Sequence, residues 1–282
     1  MFPVLDAVRD RVAAPGINAA VTAGWLEAFL RDELVVRRGI ERAVVGLSGG
    51  VDSAVTTYLC ARALGPKNVY TFRMPYKTSS QASLDDAHLV VDALGVHCHK
   101  IEISAAVDGY LQFEPDADAR RRGNVMARVR MVLLFDQSAK LGALPIGTGN
   151  KTERLLGYFT WHADDTPPVN PLGDLFKTQV WELARYLGVP AQLIAKAPSA
   201  DLEADQTDEG DLGITYARAD AILSQMLLGY SNEQLIDRGF DPKDVVLVRH
   251  RVDSTHWKRH LPTTAMLTNT AINEFYLRPV DF

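Results

Sequence analysis

Eight consecutive residues, Gly46, Leu47, Ser48, Gly49, Gly50, Val51, Asp52 and Ser53, carry the most chemistry in the chain. Glycines at a strand-to-helix junction let the backbone turn sharply and come close to a ligand. A helix opening at Ser53 aims its unpaired N–H groups and positive dipole end into that turn, and Ser48 and Ser53 add hydroxyls. The pattern describes an anion site suited to phosphate. It is not a Walker loop, which would end Gly-Lys-Ser/Thr; Asp52 stands where a lysine would otherwise neutralise charge. A carboxylate beside phosphates makes sense when it holds a cation, and Mg²⁺ with oxygen ligands is the expected one. An ordinary glycine-rich turn capped by Asp52 is the plainer alternative.

Other candidates lie further along. Thr148 and Glu153 follow a short apolar run, at the strand end where α/β sheets place ligands. Glu153 offers a second hard oxygen ligand, so that Asp52 and Glu153 can share Mg²⁺. Lys177 supplies positive charge for phosphates and Ser199 a hydroxyl; as solvated helix charges, Glu153 and Lys177 would mean nothing. His97 and His99 alternate around Cys98 on one strand face, but nothing nearby completes a zinc site. Cys60 and Cys98 both read as packing residues.

The elements that position these groups alternate. Asn18 reads as the cap of an amphipathic helix over 18–38, with Val21, Trp25, Ala28, Phe29 and Leu34 on one side. Strands are expected at 43–47, 69–74, 96–103 and 144–147, and helices at 53–64, 84–94 and 124–141. Residues 160–173 read as a long ordered loop, 175–187 as a helix and 194–213 as a mostly acidic loop. Helices are expected near 216–228, 232–238 and 244–258, before an extended tail. Such alternation requires right-handed crossovers and a parallel sheet covered on both faces. The reading is one α/β domain over residues 1–282 with helical additions at its C-terminal end.

Composition excludes several classes. The 282 residues include 30 Lys+Arg and 35 Asp+Glu, a net charge of −5, with 47% hydrophobic and 23% charged residues. That acidic balance argues against a general nucleic-acid binder. No run approaches the roughly 18 apolar residues of a membrane span, so no membrane partner is expected. The start, Met1-Phe2-Pro3-Val4-Leu5-Asp6, does not read as a secretory signal, and none is expected. Two cysteines cannot make a disulfide framework, and a reduced, cytoplasmic setting fits.

The octapeptide 46–53 resembles the pyrophosphate loop of the N-type ATP pyrophosphatases. Further segments are similar to the ammonia-dependent NAD synthetase family within that superfamily: 121–131, 147–153, 156–160, 170–180, 197–202 and the pair Lys258-Arg259. The resemblance runs over nearly the whole chain, in the family's order. It implies an adenine nucleotide alpha hydrolase-like (Rossmann-like) fold and a ligase acting on ATP, nicotinic acid adenine dinucleotide (deamido-NAD) and ammonia. It implies that Thr148, Lys177 and Ser199 contact ATP, that Asp52 and Glu153 bind Mg²⁺, and that Arg128 contacts the dinucleotide. Asp164 is the residue to examine for handling ammonium or ammonia. The family forms homodimers with the acceptor site at the subunit interface, and the helix around Trp25 and Phe29 is a surface that could contribute. A fused glutaminase would need hundreds of additional residues and a reactive cysteine, so free ammonia is the expected nitrogen source.

The acceptor half departs from the family pattern. Trp161 follows the Phe-Thr pair where Lys is usual, Pro168 stands where an Asp is expected, and Trp257 precedes Lys258 where His is expected. The indoles could stack on nicotinate or ribose in place of hydrogen bonds. The alternative is a related amide ligase with a different carboxylate or nucleotide acceptor. Arg128 and Lys258 remain, which fits an anionic acceptor. Two further segments stay open: Arg120-Arg121-Arg122 as phosphate partners or a solvated helix start, and 201–211 as a lid or a plain solvated loop.

Overall fold

The computed structural model describes residues 13–199, 207–260, 265 and 267. Four strands, β1 (Ala43–Gly46), β2 (Val69–Arg73), β3 (His97–Lys100) and β4 (Leu144–Ile146), form one parallel sheet in the order β3-β2-β1-β4. Around them the chain folds α1 (Ala19–Arg31), α2 (Val51–Leu64), α3 (Gln81–Leu94), α4 (Ser104–Leu111), α5 (Ala119–Leu141), α6 (Lys151–Leu155) and α7 (Lys177–Leu187). The C-terminal additions are α8 (Ala191–Ala195), α9 (Asp208–Leu212), α10 (Tyr216–Leu227), α11 (Asn232–Asp237) and α12 (Pro242–Ser254), followed by a short 3-10 turn at His256–Arg259.

The apolar run Ala43, Val44, Val45 is fully buried because α2 and α7 cover one face of the sheet while α4 and α5 cover the other. Val45, Val55, Leu59, Val180 and Leu183 pack in the first layer, and Val44, Phe72, Ile103 and Leu134 in the second. A third cluster, including Tyr216, Ile222, Leu235 and Val248, is built by the C-terminal helices and docks through Leu156 and Phe176. Strand order decides where a ligand can sit. The chain runs outward from β1 to β2 and β3, then returns to place β4 on the other side of β1. The C-terminal ends of β1 and β4 therefore flank the point where crossover direction reverses, the usual crevice in doubly wound sheets.

Predicted and observed elements differ in instructive places. Helix α2 begins at Val51 rather than Ser53, α3 at Gln81, and α5 at Ala119, with Asp118 accepting the Arg121 N–H as its cap. The arginines at 120–122 are thus first-turn residues of α5; Arg121 pairs with Glu114 at 2.6 Å, and Arg122 donates to the Ala117 carbonyl. Helix α4 falls where no element was expected. The acidic stretch is not a continuous loop: α8 precedes it and α9 closes it, with Thr207 as cap. Residues 201–206, the start Met1 to Asp6, and the tail beyond 260 apart from 265 and 267 lie outside the described residues.

The first helix has a core face and a second apolar side. Asn18 caps it as expected, and a π-helical segment, Asp32–Val36, extends it. The face turned to the core carries Thr22, Ala23, Leu30 and Leu34. Of the apolar side read from the sequence only Leu34 is buried, whereas Trp25 is 58% exposed and Val21 and Phe29 are exposed too, which leaves most of that side as surface. The helix carries two apolar stripes, and helical periodicity alone does not say which one faces the core.

Candidate active site

The loop leaving β1 turns at Gly49, whose φ of +84° lies in the left-handed region. A Cβ there would sit 2.2 Å from the Ser83 carbonyl oxygen, so the loop lies directly against the first turn of α3. Ser53 Oγ donates to the Gly50 carbonyl at 2.9 Å and lies 3.1 Å from Ser48 Oγ, which holds the turn closed. Gly50, at the N-cap of α2, offers no side-chain cap. The first-turn N–H groups are therefore left for an anion.

Asp52, in the first turn of α2, meets two groups from elsewhere. Lys177 Nζ, on α7, donates to Asp52 Oδ2 at 2.5 Å and to Glu153 Oε1 at 3.3 Å. Asn150 Nδ2 donates to Asp52 Oδ1 at 2.9 Å. Asn150 also caps α6: its side chain accepts the Glu153 N–H, and Glu153 Oε2 accepts the Asn150 N–H. This reciprocal cap fixes the position of Glu153 at the start of α6, where it shares Lys177 with Asp52. Lys177 is 2% exposed and Glu153 18%. Burial pushes the Glu153 carboxyl up to about 8, with Lys177 drawing it down and Asp52 pushing it up. Burial acts to lower the Lys177 pKa, but Asp52 and Glu153 outweigh it and hold the ammonium charged. The donor set fits a hard divalent cation. Two carboxylates converge on one ammonium beside N–H groups arranged for an anion, and hard oxygen donors of this kind suit such a cation.

The remaining candidates divide into groups. Thr148 is half-buried just after β4, and Ser199 is exposed at the edge of the acidic stretch. The Pro198 carbonyl accepts the Asp208 N–H, which brings the two limbs of that stretch together. A second cluster forms beyond the phosphate loop. Arg128 Nη2 donates to the Trp161 carbonyl at 3.2 Å, and the Trp161 and Trp257 rings meet edge to face at 5.1 Å. Lys258 Nζ donates to the Gly157 and Phe159 carbonyls, both at 2.6 Å, and lies over the Phe159 ring. Asp164 accepts the Thr160 N–H at 3.0 Å. His162, between Trp161 and Asp164, has φ of +57°, a strained conformation for a residue with a Cβ. Arg128, Trp161, Asp164, Trp257 and Lys258 are thus gathered around one turn. Pro168 is exposed on the far limb of the same loop, one residue before Val169, which bridges to Ile146 of β4.

Several residues that organise the site went unremarked in the sequence. Asn150 was legible: Asn150-Lys151-Thr152-Glu153 directly after a strand is a capping-box signature. Asp208, Tyr216 and Asp220 come from the C-terminal helices and carry no local signal. The remaining oddities are structural. His97 stacks on Tyr70 and His99 on Phe72 across the β2–β3 pair. Cys60 is buried in α2, its thiol pushed up to about 12 by burial. No group of three or more His, Cys, Asp or Glu able to hold a metal occurs among the described residues, so any cation here draws on fewer side chains.

Known proteins resemble this chain in sequence and in fold. A family described as NAD synthase matches residues 23–262. The NH(3)-dependent NAD(+) synthetase of Trichlorobacter lovleyi is 46% identical over 258 residues, covering 91% of this chain and 94% of that protein. Among solved structures, an NMN synthetase from Francisella tularensis superposes with a TM-score of 0.79 at 30% identity, covering 88% of this chain and 99% of that one. The NH3-dependent NAD synthetase from Campylobacter jejuni, solved with a nitrate ion, gives 0.77 at 31% identity, covering 89% and 100%.

Proposed function

The chain belongs to the NAD synthase family, and from that premise we propose that it converts deamido-NAD to NAD with ammonia, consuming ATP. In the first step a carboxylate oxygen of deamido-NAD bonds to the α-phosphorus of ATP, the α–β phosphoanhydride bond breaks and pyrophosphate leaves. In the second, ammonia bonds to the acyl carbon, the bond to AMP breaks and a proton is released. No protein nucleophile is required. The protein's part is to hold the reactants in line and to place positive charge where phosphate charge develops.

The observation that carries the reading is the meeting of Asp52, Glu153 and Lys177 at the crossover point, next to the uncapped start of α2. In this reading residues 46–53 cradle the phosphates, with Thr148 and Ser199 on the nucleotide and Lys177 as the fixed cation. Asp52 and Glu153 would hold Mg²⁺, which supplies charge neutralisation on the phosphates when bound. Arg128, Lys258, Trp161, Trp257 and Pro168 would receive the acceptor, and Asp164 the nitrogen nucleophile. The gathering of Arg128, Trp161, Asp164, Trp257 and Lys258 around one turn supports a shared acceptor site. A homodimer and a cytoplasmic setting go with this reading, supported by the exposed stripe of α1 and by two free cysteines.

Nicotinic acid mononucleotide is the acceptor to set against deamido-NAD, since one similar structure is an NMN synthetase. The test is product formation from each acid with ATP, Mg²⁺ and ammonium. NAD formed with a kcat/KM at least tenfold above that for the mononucleotide supports the reading; the reverse preference overturns it.

A further inference from the structure

Asp220 is a fully buried carboxylate in α10 that takes no part in the chemistry above. Its Oδ1 accepts from Thr152 Oγ1 at 2.6 Å, and its Oδ2 accepts from the Thr178 N–H at 2.9 Å and the Thr178 hydroxyl at 2.8 Å. Thr152 in turn accepts the Lys177 N–H at 2.9 Å. Two backbone N–H groups at the start of α7, left without helical partners by position, are therefore satisfied by Asp220 or by the hydroxyl Asp220 orients. The carboxylate also lies at the positive end of the α7 dipole. Thr152 itself sits between the cap residue Asn150 and Glu153. One turn before Asp220 on α10, the Tyr216 ring lies 5.1 Å from Lys177 Nζ. One helix thus reaches the lysine's backbone through the Thr152 hydroxyl and its ammonium through the Tyr216 ring.

We infer that Asp220 is a positioning residue that sets Lys177 against Asp52 and Glu153 by tying α6 and α7 together from α10. The inference rests on the reading of Lys177 as the cation of the phosphate site. Without the carboxylate, the Thr152 hydroxyl is free to rotate and the first turn of α7 loses the oxygen that accepts both Thr178 donors, so the lysine backbone is no longer fixed relative to Glu153. Asn at 220 retains one oxygen for Thr178 and an amide that can donate to Thr152, so it preserves most of the geometry. The helical additions are then part of the catalytic apparatus rather than a cover over it.

The test combines Asp220→Ala, Asp220→Asn and Lys177→Met, each assayed well below its own melting temperature. Readouts are affinity for ATP by titration without acceptor, kcat for pyrophosphate release, and melting temperature. Asp220→Ala is expected to weaken ATP binding about tenfold and lower kcat about thirtyfold, with Asp220→Asn restoring both to within about threefold. In the Lys177→Met background Asp220→Ala is expected to change ATP affinity less than twofold. Equal losses with and without Lys177, or a folded Asp220→Ala protein with normal kcat and affinity, overturn the inference. If Asp220→Ala does not fold, a Thr152→Val and Asp220→Asn pair read in the same cycle decides it, non-additive losses being the expected result and additive ones overturning it. ATP titration needs no acceptor, so a wrong acceptor assignment would appear as missing NAD with these arms still readable.

Discussion

Lys177 is a buried ammonium with two carboxylates on it, and its neighbours show why it stays charged. An unpaired ammonium would lose its proton on burial, but Asp52 and Glu153 more than offset that cost. Removing one partner of such a cluster leaves the others uncompensated. Lys177→Met is therefore expected to lower kcat for pyrophosphate release by about a hundred- to a thousandfold. Asp52→Asn and Glu153→Gln are expected to cost at least as much, with circular dichroism unchanged. Substantial pyrophosphate release in either carboxamide variant would place the cation elsewhere. Gly49 is a second sensitive point. Alanine there combines a positive φ with a Cβ 2.2 Å from the Ser83 carbonyl. The φ alone costs about 1–3 kcal/mol, so denaturant unfolding should show at least that loss together with weakened ATP binding.

At the scale of elements, α10 couples stability to pH through Asp220. Burial pushes this carboxyl up to about 6, although Thr152, Thr178 and Lys177 all pull it down. A folded pKa above the ordinary carboxylate value means that the native state holds the proton more tightly than the unfolded chain. The associated stability is present below about pH 4 and lost as pH rises through about 6, on the order of 3 kcal/mol. Asp220→Asn lacks this titration, so its stability relative to the parent should rise by about that amount between pH 4 and pH 7. A constant difference across that range would show that Asp220 is ionised throughout. The strands and crossover helices were legible because glycine punctuation and apolar runs agree with their tertiary environment: Gly65, Gly95 and Gly142 each end a helix where expected. Helix α4 was not, since it is short and Ile103 at its start offers no capping side chain. Asp208, Tyr216 and Asp220 reach the site only through the docking of α9 and α10, a long-range fact that no local pattern encodes.

At the scale of the whole molecule, the exposed apolar stripe of α1 and its extension is unusual for a free surface. Val21, Trp25, Phe29, Val35 and Val36 are all exposed, Val36 by 75%. Contiguous apolar surface of this kind marks an interface more often than bare protein. Sedimentation at micromolar concentration should give a dimer, and Trp25→Glu should shift it toward monomer; a wild-type monomer would contradict the assembly proposed here. The proposed phosphate half of the site rests on residues 46–53, where backbone geometry that glycine and serine encode locally would perform that task. The acceptor half was only partly readable. Its proposed members come from α5, the 157–164 turn and the turn after α12, and two of its side chains, Trp161 and Trp257, offer shape rather than a charge pattern.

The central claim is that one site couples ATP cleavage to amidation of deamido-NAD. It is tested most directly by measuring pyrophosphate and NAD together, from purified protein given ATP, Mg²⁺, ammonium and deamido-NAD. The account predicts both products in equal amounts, and neither when the acid is withheld. ATP binding without either product, or pyrophosphate released without NAD, would contradict it.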